Sequence, residues 1–238
     1  MIQSLNDKHI VVTGGTGALG EAVAAALLEQ HALVSIPCYD ASELDGFDLK
    51  DSDHLFLQTG IDLTDEQATQ QFYKNAVESQ GKLWASVHIA GGFAMGKVAD
   101  TSKKDFMRQV NMNLVTCFNA CKVAVNHQQK SGGGRIVNVS SRPGVSPRQG
   151  AGRSAYAVSK AGVAALTQSL AAEVVEDGIL VNAVVPSVID TPQNRQSMPN
   201  ANFERWPKPA EIANQILYLI SEQNTLTQGA LVPVYGRG

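Results

Sequence analysis

The chain has 238 residues, 44% of them apolar, with 19 basic and 22 acidic side chains and a net charge near −3. That length buries about 70% or more of the unfolded surface without a disulfide or metal staple, and the near-balanced charge gives no global field for nucleic acid or an anionic membrane. No basic-then-apolar leader opens the chain and no apolar run is long enough to span a bilayer, so the expected compartment is the cytoplasm.

In chain order, short β-branched runs alternate with Ala-rich helical ones. Strands are predicted at 9–14, 32–36, 55–61, 83–89, 135–141, 180–185 and 230–234, and helices at 18–30, 64–80, 103–129, 154–176 and 208–222. Near-continuous apolar strands between helices indicate a parallel sheet covered on both faces. The expected fold is α/β: one doubly wound, Rossmann-like domain over 1–238, with about seven strands. Segments 142–153 and 186–207 read as long loops of that domain.

The first strand runs into "TGGTGALG" (13–20) and then the first helix. Gly15, Gly17 and Gly20 fit G-x-G-x-x-G, and Gly14, Gly17 and Gly20 fit a three-apart spacing. Such a turn lets a pyrophosphate approach the backbone at a helix N-terminus. The second strand runs out to Asp40, which is either an acceptor for the ribose hydroxyls of NAD or a solvated loop acid, and no Lys or Arg lies in 9–49 to pair with the extra phosphate of NADP. The cofactor is therefore NAD(H) or NADP(H), with NAD(H) favoured.

Cys38, Cys117 and Cys121 show no CxxC or Cys/His spacing suited to zinc, no metal is expected, and His88 and His127 read as structural. Gln109–Cys121 contains no charged side chain, and Ser154–Ala172 contains only Lys160. A helix with small or apolar residues all round, as with Ala155, Ala157, Ala161, Ala164, Ala165, Leu166, Leu170 and Ala171, needs a second covering partner, which points to a homodimer or homotetramer. The fifth strand ends in Ser140 and Ser141, at the carboxyl edge where ligands of such sheets bind.

In "SAYAVSK" (154–160), Tyr156 and Lys160 stand four apart and share one helix face. A phenol with a pKa of about 10 is a poor acid/base at neutral pH, and a nearby cation lowers that value. A tyrosine tuned in this way can pass protons to a substrate.

Together with "DL" (62–63), "HIAGG" (88–92), "NMNLVTCFNA" (111–120), "GRIVNVSS" (134–141), "VNAVVPSVIDTP" (181–192) and the stretch from "PAEIANQILYLIS" to "TQGALVPV", these motifs resemble the short-chain dehydrogenase/reductase family over essentially the whole chain. The resemblance implies an NAD(P)-dependent oxidoreductase moving hydride between nicotinamide and a carbonyl or alcohol carbon. Its catalytic tetrad would be Asn113, Ser141, Tyr156 and Lys160. Tyr156 passes the proton, Lys160 lowers its pKa and holds the nicotinamide ribose, Ser141 orients the substrate oxygen, and Asn113 supports a water chain to Lys160. The loop residues Gly14, Thr16, Gly17, Ala18, Leu19 and Gly20 would hold the pyrophosphate. Asp62 and Leu63 would flank adenine, Ala90 and Gly91 would line the cofactor, and Pro186, Ile189 and Thr191 would meet its nicotinamide half.

Four departures stand out: Ala18 in the loop, "HIAG" in place of Asn-Asn-Ala-Gly, Pro186-Ser187 in place of Pro-Gly, and a long interval between Ser141 and Tyr156 that leaves Ser140 as a substitute. "IAGGFAMG" (89–96) and "DTPQNRQSMPNANFERW" (190–206) resemble dihydropteridine reductases, so reduction of a quinonoid dihydropterin is an alternative activity. A dinucleotide-binding sensor without turnover is another. Arg142, Arg148, Arg153 and Arg195 lie in the loops expected to roof the pocket, where they could grip an anionic substrate.

Overall fold

Alternation along the strands builds two apolar layers on one sheet. In β1 (His9–Thr13), Ile10 and Val12 point into one core, while Val11 between them points into the other. The computed structural model describes residues 5–237. Its other strands are β2 (Leu33–Pro37), β3 (Leu55–Gln58), β4 (Leu83–His88), β5 (Gly134–Val139), β6 (Ile179–Pro186) and β7 (Leu231–Val234). They form one seven-stranded sheet in the order β3-β2-β1-β4-β5-β6-β7, and every pairing is parallel. The order reverses between β1 and β4, which opens the crevice at their carboxyl ends.

Helices α1 (Ala18–Leu28) and α8 (Pro209–Ile220) pack together on one face through Val23, Leu27, Ile212 and Ile216. The opposite face is covered by α2 (Glu66–Gln80), α4 (Thr116–Ser131) and α6 (Ser154–Glu173), with Phe72, Tyr73, Ala120 and Val163 at its centre. Among the described residues, no helix is long and apolar enough to cross a membrane.

Three sequence expectations change. β3 stops at Gln58, because Gly60 turns left-handed at φ +76 and swings Ile61 under Cys38. The helix expected over 103–129 is α3 (Lys103–Val110) and α4 joined by a π turn at Asn111–Val115. The loops also hold short helices, α5 (Arg142–Val145) and α7 (Pro192–Ser197), each with a hydroxyl cap and a Pro in its first turn.

Candidate active site

The carboxyl ends of β1, β2 and β4 enclose a cavity of about 1070 Å³. Of the expected cofactor residues, Gly14, Thr16, Gly17, Ala18, Leu19, Gly20, Asp62, Leu63, Ala90 and Gly91 line it. The loop fits a pyrophosphate on backbone grounds. Gly14 sits at φ +66, and a Cβ there would lie 2.7 Å from the Ala90 nitrogen. A Cβ on Gly20 would strike the Gly14 carbonyl. Gly17 caps α1 without a side-chain acceptor, which leaves the first N–H groups of that helix for a phosphate. Asp62 accepts from the Thr64 N–H and hydroxyl at 2.8 and 2.7 Å, shaping the turn at its side of the cavity.

Asp40 does not line this cavity and stands as a solvated loop acid. Its exposed carboxylate accepts from the Ser42 N–H at 2.9 Å, capping a short 3-10 turn. Glu43 takes its place in the lining. One Glu43 oxygen accepts from the Thr16 hydroxyl at 2.6 Å, and the other from the N–H groups of Tyr39 and Asp40 at 2.8 and 3.2 Å. The signal was the capping-box spacing of "DASE" (40–43), which turns the Glu back toward the strand end. Pro186, Ile189 and Thr191 follow at the β6 edge, outside that lining. Thr191 caps α7 by accepting from the Asn194 N–H at 3.2 Å, and Ile189 packs on the core.

The four residues expected to form a tetrad, Asn113, Ser141, Tyr156 and Lys160, lie outside that lining, with the Asn113 and Lys160 side chains next to Gly91. Lys160 is 5% exposed, and its ammonium donates to the Val139 carbonyl at 2.8 Å. A Cβ on Gly91 would sit 3.4 Å from that ammonium and would collide with the Asn113 amide oxygen, so only glycine lets the groups converge. Asn113 sits in the π turn, where Thr116 bonds back to Asn111 instead of to the residue four before it. Its amide donates to the carbonyls of Gly92 and Gln109 at 3.0 and 3.1 Å and accepts from the Gly92 N–H at 3.1 Å. Asn113 thereby clamps the strand end to the helix.

The serine register is set by hydrogen bonding. Ser140 donates to the Lys160 carbonyl at 2.8 Å, locking β5 to α6. Ser141 accepts from the Gly144 N–H at 3.3 Å and is the hydroxyl beside the Tyr156 phenol. Burial pushes that phenol above its ordinary value, while Ser141 and the Arg153 charge pull it back. Lys160 itself is lowered to about 8 by burial, partly offset by Cys117.

His88 replaces the family's usual Asn without breaking the strand end. One ring nitrogen bonds Asn138 on β5 at 2.8 Å and the other bonds Ser86 at 2.8 Å, which in turn meets the Tyr73 hydroxyl at 2.7 Å. Cys121 lies 3.4 Å from the same ring and Cys117 is close by, a juxtaposition of strand and helix that linear spacing does not reveal.

A short chain dehydrogenase profile matches residues 8–202. The chain belongs to the short-chain dehydrogenase/reductase family. It is 29% identical to the (2S)-[(R)-hydroxy(phenyl)methyl]succinyl-CoA dehydrogenase subunit BbsD of Thauera aromatica, over 98% of this chain and 96% of that protein. It is 32% identical to the cis-4-hydroxycyclohexanecarboxylate dehydrogenase of Sinomonas cyclohexanicum, over 99% and 98%. The solved structure of ElxO with NADP bound superposes at a TM-score of 0.88 with 26% identity, covering 96% of this chain and 97% of the other. This short-chain dehydrogenase/reductase is thus an oxidoreductase on a Rossmann-like fold of a family that binds NAD(P).

Proposed function

We propose that the enzyme moves a hydride between a nicotinamide dinucleotide and a carbonyl or alcohol carbon, with Tyr156, Ser141 and Lys160 as its working groups. One observation carries this reading: the Tyr156 phenol lies beside the Ser141 hydroxyl, and the buried Lys160 ammonium approaches Gly91, one of the residues lining the large cavity. When bound, the nicotinamide supplies the hydride. Ser141 donates to the substrate oxygen and fixes it against Tyr156. A phenol held above its ordinary value keeps its proton at neutral pH and delivers it as the oxygen gains charge. Lys160 holds the nicotinamide ribose and returns the proton, and Asn113 keeps the Gly91–Gly92 wall in place. The serine beside the phenol favours a carbonyl over a quinonoid ring. The test is NADH and NADPH oxidation across ketones, oxo acids, quinones and quinonoid dihydropterin; turnover confined to the dihydropterin overturns the carbonyl reading.

Glu43 favours NAD(H). A carboxylate in the turn after β2, already oriented by Thr16, accepts from ribose hydroxyls and repels an added phosphate. The expected Michaelis constant for NADPH exceeds that for NADH by about tenfold or more, and Glu43→Gln narrows the gap. Steady-state kinetics with both dinucleotides decides it, and a preference for NADPH contradicts it.

The enzyme is also proposed to assemble. Phe118 on α4 and Val158 on α6 stand 48% and 52% exposed, and the outer face of α6 carries no charge before Glu173. Light scattering at micromolar concentration is expected to give two or four chains, with Phe118→Glu shifting the mass toward one. A monomeric natural protein contradicts the proposal.

A further inference from the structure

Arg153 caps the start of α6, three residues ahead of Tyr156. Its backbone N–H donates to the Gly150 carbonyl at 2.9 Å, and its segment bridges to Gly96, whose N–H donates to Gly152 at 2.8 Å. Its guanidinium carbon lies 5.8 Å from the centre of the Phe93 ring, and that ring meets the Tyr156 ring edge-on at 5.0 Å. The cation is therefore built into the wall beside the proton donor.

What it lacks is an anion. Among the described residues, no carboxylate oxygen lies within 4.0 Å of an Arg153 nitrogen, and its buried Nε has no acceptor. The other loop arginines differ. Arg195 is held by both oxygens of Asp190 at 2.6 and 2.8 Å, Arg142 stacks 4.8 Å over Tyr235, and Arg148 is exposed.

Gln109, only 2% exposed, is the second unpartnered group: neither its amide oxygen nor its nitrogen has a partner. Gln109 and Arg153 line one cavity of about 90 Å³. A buried donor without an acceptor costs about 1–3 kcal/mol, and more when charged, so two such groups converging on one space call for a ligand that completes them. Asp100 and Asp105 also border this cavity. Asp100 is exposed, and Asp105 is engaged by Ser102 at 2.7 Å and Arg108 at 3.5 Å. Their charge disfavours a multiply charged anion, whereas a single carboxylate fits the planar guanidinium fork.

We propose that Arg153, with Gln109 beside it, binds a carboxylate of the substrate, so that the carbonyl compounds reduced here are oxo acids and the alcohols oxidised are hydroxy acids. This rests on the oxidoreductase reading above and narrows its substrate class.

The test compares pyruvate, acetoacetate and levulinate with their methyl esters, using NADH, in the natural protein and in Arg153→Gln and Arg153→Lys. The readout is the acid-to-ester ratio in kcat/KM, which cancels any shared effect on folding, cofactor binding or Tyr156. For the best acid, the ratio is expected at about 100 in the natural protein, near unity in Arg153→Gln, and partly restored in Arg153→Lys. A ratio unchanged by Arg153→Gln, or an ester preferred by the natural protein, overturns the proposal. If no acid or ester is turned over, the oxidoreductase reading has failed for these substrates, and the same acids are titrated into Tyr156→Phe by calorimetry. Binding weakened about tenfold or more by adding Arg153→Gln supports the site, and no binding or equal binding overturns it.

Discussion

Tyr156→Phe is expected to lower turnover by about 10²–10⁴-fold while leaving NADH binding close to that of the natural protein. The ring stays, so its edge-on contact with Phe93 is kept and the packing of α6 is undisturbed. Only the hydroxyl beside Ser141 is lost, at about 1 kcal/mol of stability. Stopped-flow hydride transfer together with NADH fluorescence titration separates the two effects. An unchanged rate would mean that the proton comes from elsewhere; absence of turnover in the natural protein, with its biological function kept in Tyr156→Phe, would favour the non-catalytic dinucleotide sensor.

Lys160→Met is expected to abolish turnover to a similar extent and to weaken NADH binding, yet to leave the fold about as stable as before. The ammonium is buried, and its fall from 10.5 to about 8 corresponds to ~3 kcal/mol spent keeping it charged at neutral pH. Methionine removes that penalty but strips the Val139 carbonyl of its donor, a loss of about 1–3 kcal/mol. The pH dependence has a definite sign. Below about 8 the lysine is protonated in both folded and unfolded chains, and the full penalty applies. Between about 8 and 10.5 the unfolded chain binds the extra proton, so this lysine's contribution to stability improves as pH rises. The stability of Lys160→Met relative to the natural protein is therefore expected to fall across that window in urea unfolding, and a relative rise would contradict the burial argument. In the natural enzyme, kcat/KM for reduction is expected to fall as pH rises through about 8, as the returning proton is lost.

Much of this was legible in the sequence because periodicity reports burial directly. The apolar strands and their intervening helices gave the parallel sheet, and in the glycine-rich turn Gly14 and Gly20 stand where a Cβ would collide with backbone. The π turn around Asn113 was not legible, since one wider turn does not alter the apolar pattern of an uncharged helix. Asp40 and Glu43 are three residues apart, and only the cap geometry decides which carboxylate faces solvent and which faces the cavity. The i, i+4 spacing placed Tyr156 and Lys160 on one face, but could not show that the ammonium is drawn onto a carbonyl of β5. Nor could it show that Arg153 shares a wall with Phe93, which lies 60 residues earlier in the chain and meets it only through the packing of two loops.

The most direct test is a crystal structure with bound NADH. The adenosine ribose is expected against Glu43, the pyrophosphate on Gly14–Gly20, and the nicotinamide beside Tyr156 with Lys160 on its ribose. A dinucleotide whose nicotinamide lies away from residues 156 and 160 would contradict the account.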